Sequence, residues 1–163
     1  MSNDPVDSLN TPPVSYRDRV RAEWVDYNGH MSEAYYVLVF GHATDAFYDL
    51  IGMDDDYRRA TSRSVYTLES HISYLMEIGE GEELVVRTQV LGADHKRIHL
   101  FHAMHHGEPG DLLATSELML LHVDTTTPGA VAFAPEVRKR LDKIAQAHTD
   151  LPRPGRAGRS ISL

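Results

Sequence analysis

Cysteine is absent, which removes disulfide frameworks, thiolate metal sites and any thiol nucleophile. Chemistry in this chain must use oxygen, imidazole or backbone groups. No apolar run is long enough to cross a bilayer, so no membrane partner is expected. Basic charge is also short: 16 Lys and Arg stand against 24 Asp and Glu, a net charge of −8 that argues against nucleic acid as a partner. An acidic balance leaves room for a local basic patch that meets one nucleotide, and it tolerates a cationic substrate. The first fourteen residues lack both a basic and an apolar region of the secretory kind, so residues 1–14 are read as a flexible arm of a cytoplasmic protein. With 163 residues, 42% of them hydrophobic, the chain suits one domain, expected over 15–148 with a tail over 149–163.

What is present alternates cleanly. Tyr16 to Trp24 has the period of a strand and runs into the turn pair Asn28-Gly29. Tyr36, Phe40, Ala43, Phe47 and Leu50 then fall at helical spacing, with Gly52 as the stop. Val37, Leu38 and Val39 make the first half of that helix apolar on nearly all sides, so something should wrap it. Met53 to Arg63 reads as a charged connector. Strands follow at Val65 to Leu75, Glu83 to Leu91, Arg97 to His105 and Leu112 to Val123, separated by Gly-rich turns. Pro135 opens a short amphipathic helix carrying Val137, Leu141 and Ile144. Short turns force antiparallel neighbours, so the expected architecture is α+β: about five strands curled around one long helix. Two such sheets meeting edge to edge would give a homodimer or homotetramer.

The junction between first strand and helix reads Trp24-Val25-Asp26-Tyr27-Asn28-Gly29-His30-Met31-Ser32-Glu33. With this order of elements, the chain resembles the hotdog-fold acyl-CoA thioesterases of the 4-hydroxybenzoyl-CoA thioesterase type over Val14 to Val123, through Asp26, Gly29, His30 and Met31. Two positions depart from the common pattern: Trp24 replaces an earlier acid, and Ser32-Glu33 replaces paired asparagines. The stretches Tyr66-Thr67-Leu68-Glu69, Thr88 to Gly92, Lys96 to His102 and Glu117 to Asp124 look more closely like the betainyl-CoA thioesterases of carnitine breakdown. That resemblance implies hydrolysis of betainyl-CoA to glycine betaine and coenzyme A, with no cofactor beyond the coenzyme A of the substrate itself. A different short or aromatic acyl group, an enoyl-CoA hydratase and a non-catalytic acyl-CoA binding module are the alternatives.

On this reading Asp26 attacks the thioester carbonyl or orients water as a base; as a plain residue it would be a turn former before a helix. Gly29 makes the tight turn and lets the loop approach substrate, while free N–H groups around Ser32 and Glu33 hold the thioester oxygen. Asn28 and His30 flank the acid as positioning groups. A trimethylammonium acyl group calls for ring faces and a carboxylate, and Trp24, Tyr27, Tyr35, Tyr36, Tyr66 and Glu69 are the candidates. Glu69 stands out because a mid-strand carboxylate is costly to bury unless used, with a pair to His71 as the structural alternative. Arg63, Lys96 and Arg97 are candidates for the coenzyme A phosphates. The ten histidines include His99, His102 and His105, but alternation along a strand sends His102 to the face opposite the other two, so no metal site is expected.

Overall fold

The computed structural model describes residues 12–163; of the expected N-terminal arm, residues 1–11 lie outside the described residues. The elements run β1 (Val14–Arg19), α1 (Glu33–Leu50), α2 (Asp55–Thr61), β2 (Arg63–Tyr74), β3 (Glu83–Ala93), β4 (Arg97–His106), β5 (Leu112–Asp124), β6 (Gly129–Ala130) and α3 (Pro135–Ala147). The strands form one antiparallel sheet in the order β1-β3-β4-β5-β2, with the two-residue β6 paired to β5. The sheet curls around α1, which is the hotdog arrangement expected from the order of elements. No helix among the described residues is long and apolar enough to cross a membrane.

Helix α1 buries Tyr36, Val39, Phe40, Ala43, Thr44, Phe47 and Tyr48, a stripe at spacings of three and four. Its amino-terminal half packs with Trp24, Met31, Leu84, Val86 and Met104; its carboxy-terminal half packs with Leu100, Leu118, Leu120 and the apolar face of α3. The enclosure is not complete. Val37 and Leu38 remain 48% and 41% exposed because the sheet covers only one side of the helix. Gly52, at φ +81°, closes α1, and a Cβ there would collide with the guanidinium of Arg140.

Three expectations are corrected. Strand β1 stops at Arg19, and a single 3-10 turn over Ala22–Trp24 swings the indole of Trp24 into the core. The charged connector contains α2, whose first turn is capped where the carboxylate of Asp54 accepts from the N–H of Tyr57 at 2.9 Å. The carboxy-terminal segment, read as a tail, lies against the sheet: the N–H of Gly158 donates to Glu117 at 2.6 Å.

His102 is fully buried between α1 and the sheet, its two ring nitrogens each 2.8 Å from a hydroxyl, Thr44 on one side and Thr88 on the other. Thr44 spends its only proton on the carbonyl of Phe40, so its oxygen accepts from Nε2 of His102. The imidazole stacks on Phe40 at 6.0 Å. Burial pushes its pKa down to about 3, so it is a neutral core residue. His99 points to the other face, 2.7 Å from Glu117, as strand alternation requires.

Candidate active site

The Asp26 loop is a small hairpin set on the amino end of α1. An isolated bridge pairs Val25 with Met31, the N–H of Asp26 donates to His30 O at 3.0 Å, and the N–H of Gly29 donates back to Asp26 O at 3.0 Å. Gly29 sits at φ +82°, the left-handed conformation that this turn needs and that glycine reaches without a Cβ penalty. Nothing stands within 4 Å of the Cβ position, so the requirement is conformational rather than steric. Two further bonds fasten the hairpin: Met31 N–H to Ile78 O at 2.8 Å, and Ser32 N–H to Trp24 O at 2.9 Å.

Asp26 is half-buried at the base of this hairpin. Its Oδ1 accepts the N–H of Asn28 at 2.8 Å, which is the turn-forming role that any Asp could fill. That bond fixes the carboxylate while leaving Oδ2 without a protein partner among the described residues. One oxygen is held and one is free. Ser32 gives α1 no side-chain cap, so the N–H groups of Glu33 and Ala34 have no intrahelical acceptor and point out of the helix end, where the dipole favours negative charge. A free carboxylate oxygen and an open pair of N–H donors are the parts that acyl transfer needs.

Beside this helix end lies a cleft of about 390 Å³ lined by Met31, Glu33, Tyr36, Tyr74, Met76 and Glu77, with Leu75 at its back. Its walls are tied to the hairpin. Nδ1 of His30 is 3.3 Å from Glu77, and the hydroxyl of Tyr36 donates to Met76 O at 3.2 Å. Tyr36 and Tyr74 meet edge to face, with centroids 5.4 Å apart. Burial, then the charges of Glu77 and Tyr74, raises the Tyr36 pKa; burial, then Glu33, raises that of Tyr74, so both rings are neutral phenols at neutral pH.

Of the predicted residues, Glu33 and Tyr36 line this cleft, while Asp26, Asn28, Gly29 and His30 belong to the adjoining hairpin, whose Met31 forms part of the cleft wall and whose His30 meets Glu77. Trp24 and Tyr35 lie beneath it, stacked at 5.5 Å; Trp24 is only 3% exposed, with Arg21 over its ring, and forms the floor of the loop. Tyr27 is 97% exposed at the hairpin tip. Tyr66 and Glu69 do not join the group. Leu68 is a bulge in β2, so the face of β2 against α1 carries Val65, Thr67, Ser70 and Ile72, which line a second cleft of about 420 Å³, and Tyr66 and Glu69 stand on the outer face. Glu69 is exposed, so the argument from the cost of burying a mid-strand carboxylate does not hold for it. Simple alternation missed this because one inserted residue inverts everything after it.

Arg63, Lys96 and Arg97 all sit at the other end of the sheet. In the pairing, Arg63 faces Asp124 and Arg97 faces Leu121, whereas Tyr74 faces Ala114 and Arg19 faces Glu83 at the hairpin end. Arg97 is engaged, its guanidinium within 2.6 and 2.7 Å of Asp94. The N–H of Lys96, with both the side chain and the N–H of Arg97, holds Asp94 well below the usual carboxylate range. Arg63 borders a separate cavity of about 160 Å³ beside Asp45, Tyr48 and Arg58. Sequence reasoning passed over Tyr74, Met76 and Glu77 as functional groups: Tyr74 read as one residue of an alternating strand, and a tyrosine, a methionine and an acid at a strand end carry no local motif.

Residues 20–141 match the sequence profile of the Thioesterase-like superfamily. The chain is 47% identical to a betainyl-CoA thioesterase of Pseudomonas aeruginosa, over 92% of this chain and 94% of that protein. It is also 47% identical to an L-carnitine dehydrogenase/betainyl-CoA thioesterase of Agrobacterium fabrum, over 87% of this chain and 29% of that longer protein. Among solved structures it superposes on a hypothetical protein of Staphylococcus aureus determined in complex with CoA, with a TM-score of 0.87 and 25% identity over 93% of this chain and 96% of that one.

Proposed function

The chain belongs to the Thioesterase-like superfamily, and on that premise we propose that it hydrolyses betainyl-CoA to glycine betaine and coenzyme A. The observation that carries this reading is the free oxygen of Asp26 on the hairpin that leads directly into the open N–H groups at the start of α1, in a chain 47% identical to a betainyl-CoA thioesterase nearly from end to end. The fused relative, whose name joins an L-carnitine dehydrogenase to the same activity, supports a role in carnitine breakdown. A substrate carried on coenzyme A suits a cytoplasmic enzyme.

The chemistry follows from the geometry. The thioester oxygen rests on the N–H groups of Glu33 and Ala34, which strengthen their hold as that oxygen becomes an anion. Asp26 then works by one of two routes. As a base it takes a proton from water, whose oxygen adds to the carbonyl carbon; the tetrahedral adduct expels coenzyme A as a thiolate, which takes up a proton. As a nucleophile its oxygen adds directly, the thiolate leaves, and water hydrolyses the resulting anhydride. His30, 3.3 Å from Glu77, holds the loop against the cleft wall.

A homodimer fits the same picture. Strand β2 is an edge of twelve residues, with Tyr66 and Leu68 more than half exposed and the open side of α1 next to it. Antiparallel pairing of two β2 edges sets the Arg63 end of one copy against the Tyr74 end of the other. Each cleft then borders the other copy's Arg63, which is how a basic residue remote within one chain could meet a coenzyme A phosphate.

Thiol release from betainyl-CoA tests the proposal. Asp26→Asn should lower kcat by at least about a hundredfold, the usual worth of a positioned acid or base, without losing the fold by circular dichroism. A variant as active as the wild type removes Asp26 from the mechanism.

A further inference from the structure

Resting on the betainyl-CoA reading, we propose that the trimethylammonium group of the substrate is held in the cleft beside the first turn of α1, between the carboxylates of Glu33 and Glu77 and the rings of Tyr36 and Tyr74.

Substrate length decides the place. In a betainyl group one methylene separates nitrogen from the carbonyl carbon, so the two atoms are about 2.5 Å apart. Whatever holds the cation must therefore share a cleft with the attacked carbonyl. The larger cleft starts one turn along α1, at Val37, but its only carboxylate, Asp45, is too far away: twelve residues of helix from Glu33 to Asp45 span about 18 Å. Glu69 faces the outer side of the sheet. The cleft next to the Asp26 hairpin is the one within reach, since Met31 of the hairpin forms part of its wall.

Its chemistry matches the group. A quaternary ammonium cannot donate a hydrogen bond, so it is recognised by negative potential and polarisable surface. The lining supplies two carboxylates and no lysine or arginine, two neutral phenol rings whose planes meet at 87°, and the thioethers of Met31 and Met76. Rings at a right angle make a corner that meets a sphere of three methyl groups on two sides. The positive end of α1 would by itself repel such a cation; Glu33 in the first turn offsets that field and Glu77 adds to it. The acyl group is thereby read at both ends, oxygen on the N–H groups and ammonium on the carboxylates.

The measurement is the ratio of kcat/KM for betainyl-CoA to that for 3,3-dimethylbutanoyl-CoA, in which carbon replaces the charged nitrogen and the shape is kept. In the wild type the ratio should be at least a hundred. Glu77→Gln should lower it at least tenfold, Tyr74→Leu should lower it severalfold, and Tyr74→Phe should restore it, because the ring and not the hydroxyl makes the contact. Glu80→Gln, in the turn beyond, controls for a general loss of surface charge and should leave the ratio where it was. A ratio drop in Glu80→Gln as large as in Glu77→Gln overturns the seat. Because turnover steps are common to both substrates, damage to the Asp26 loop cancels from the ratio. A wild type that cleaves betainyl-CoA but whose ratio is unmoved by Glu77→Gln and Tyr74→Leu overturns the seat alone; a wild type that releases thiol from neither ester overturns the functional reading with it.

Discussion

Acidification from pH 6.5 to 5 should destabilise this protein through one residue in particular. His102 is fully buried and held neutral, its pKa pushed from 6.5 to about 3 by burial. In the unfolded chain the same imidazole binds a proton near 6.5. Between those two values the unfolded state carries the extra proton, so stability is complete above pH 6.5 and is lost as pH falls, by about 1.4 kcal/mol per pH unit until the folded group also titrates near pH 3. At pH 5 the loss from this site is about 2 kcal/mol, which at a urea m-value of about 2 kcal/mol/M moves the midpoint by about 1 M. Burial also lowers the pKa of His122 and His148, so the wild-type slope contains more than one site. Comparison with His102→Leu isolates this one: Leu has a similar volume, Thr44 keeps its bond to Phe40 O, and Thr88 keeps Ser15 at 2.7 Å. Urea melts at fixed protein concentration, followed by circular dichroism at pH 7, 6 and 5, should show the two stability profiles converging as pH falls, by about 2 kcal/mol at pH 5. Parallel profiles would refute the reasoning, since they would mean that His102 already has an ordinary pKa when folded.

Two further outcomes follow from the hairpin and from the sheet edge. Gly29→Ala should cost about 1 kcal/mol in stability, from the left-handed backbone and not from a clash, and should lower thiol release by more than the fraction unfolded, because the turn that places Asp26 is disturbed; activity that tracks only the folded fraction, measured by calorimetry, goes against this. Leu68→Asp, at the exposed bulge of β2, should convert the proposed dimer to a monomer in sedimentation at micromolar concentration, and an unchanged sedimentation coefficient would rule out pairing through this edge.

Much of this protein is legible in its residues because the signals are periodic and local. The stripe from Tyr36 to Tyr48 made α1, alternation made the strands, and short Gly turns made them antiparallel. The motif from Asp26 to Met31 was readable because a turn, an acid and a helix start are neighbours in sequence and in space. The second half of the cleft was not. Tyr74 and Glu77 lie far along the chain from Glu33, and what joins them is a pair of long-range bonds, Met31 to Ile78 and Tyr36 to Met76. Likewise the bulge at Leu68 turned Glu69 outward, and strand direction sent Arg63, Lys96 and Arg97 to the far end of the sheet. The sequence by itself determined the class of fold and the acid on the loop, because hydrophobic period and turn chemistry act over a few residues. Only the tertiary structure decided which remote side chains face that acid, because facing depends on register, and a single unpaired residue reverses it.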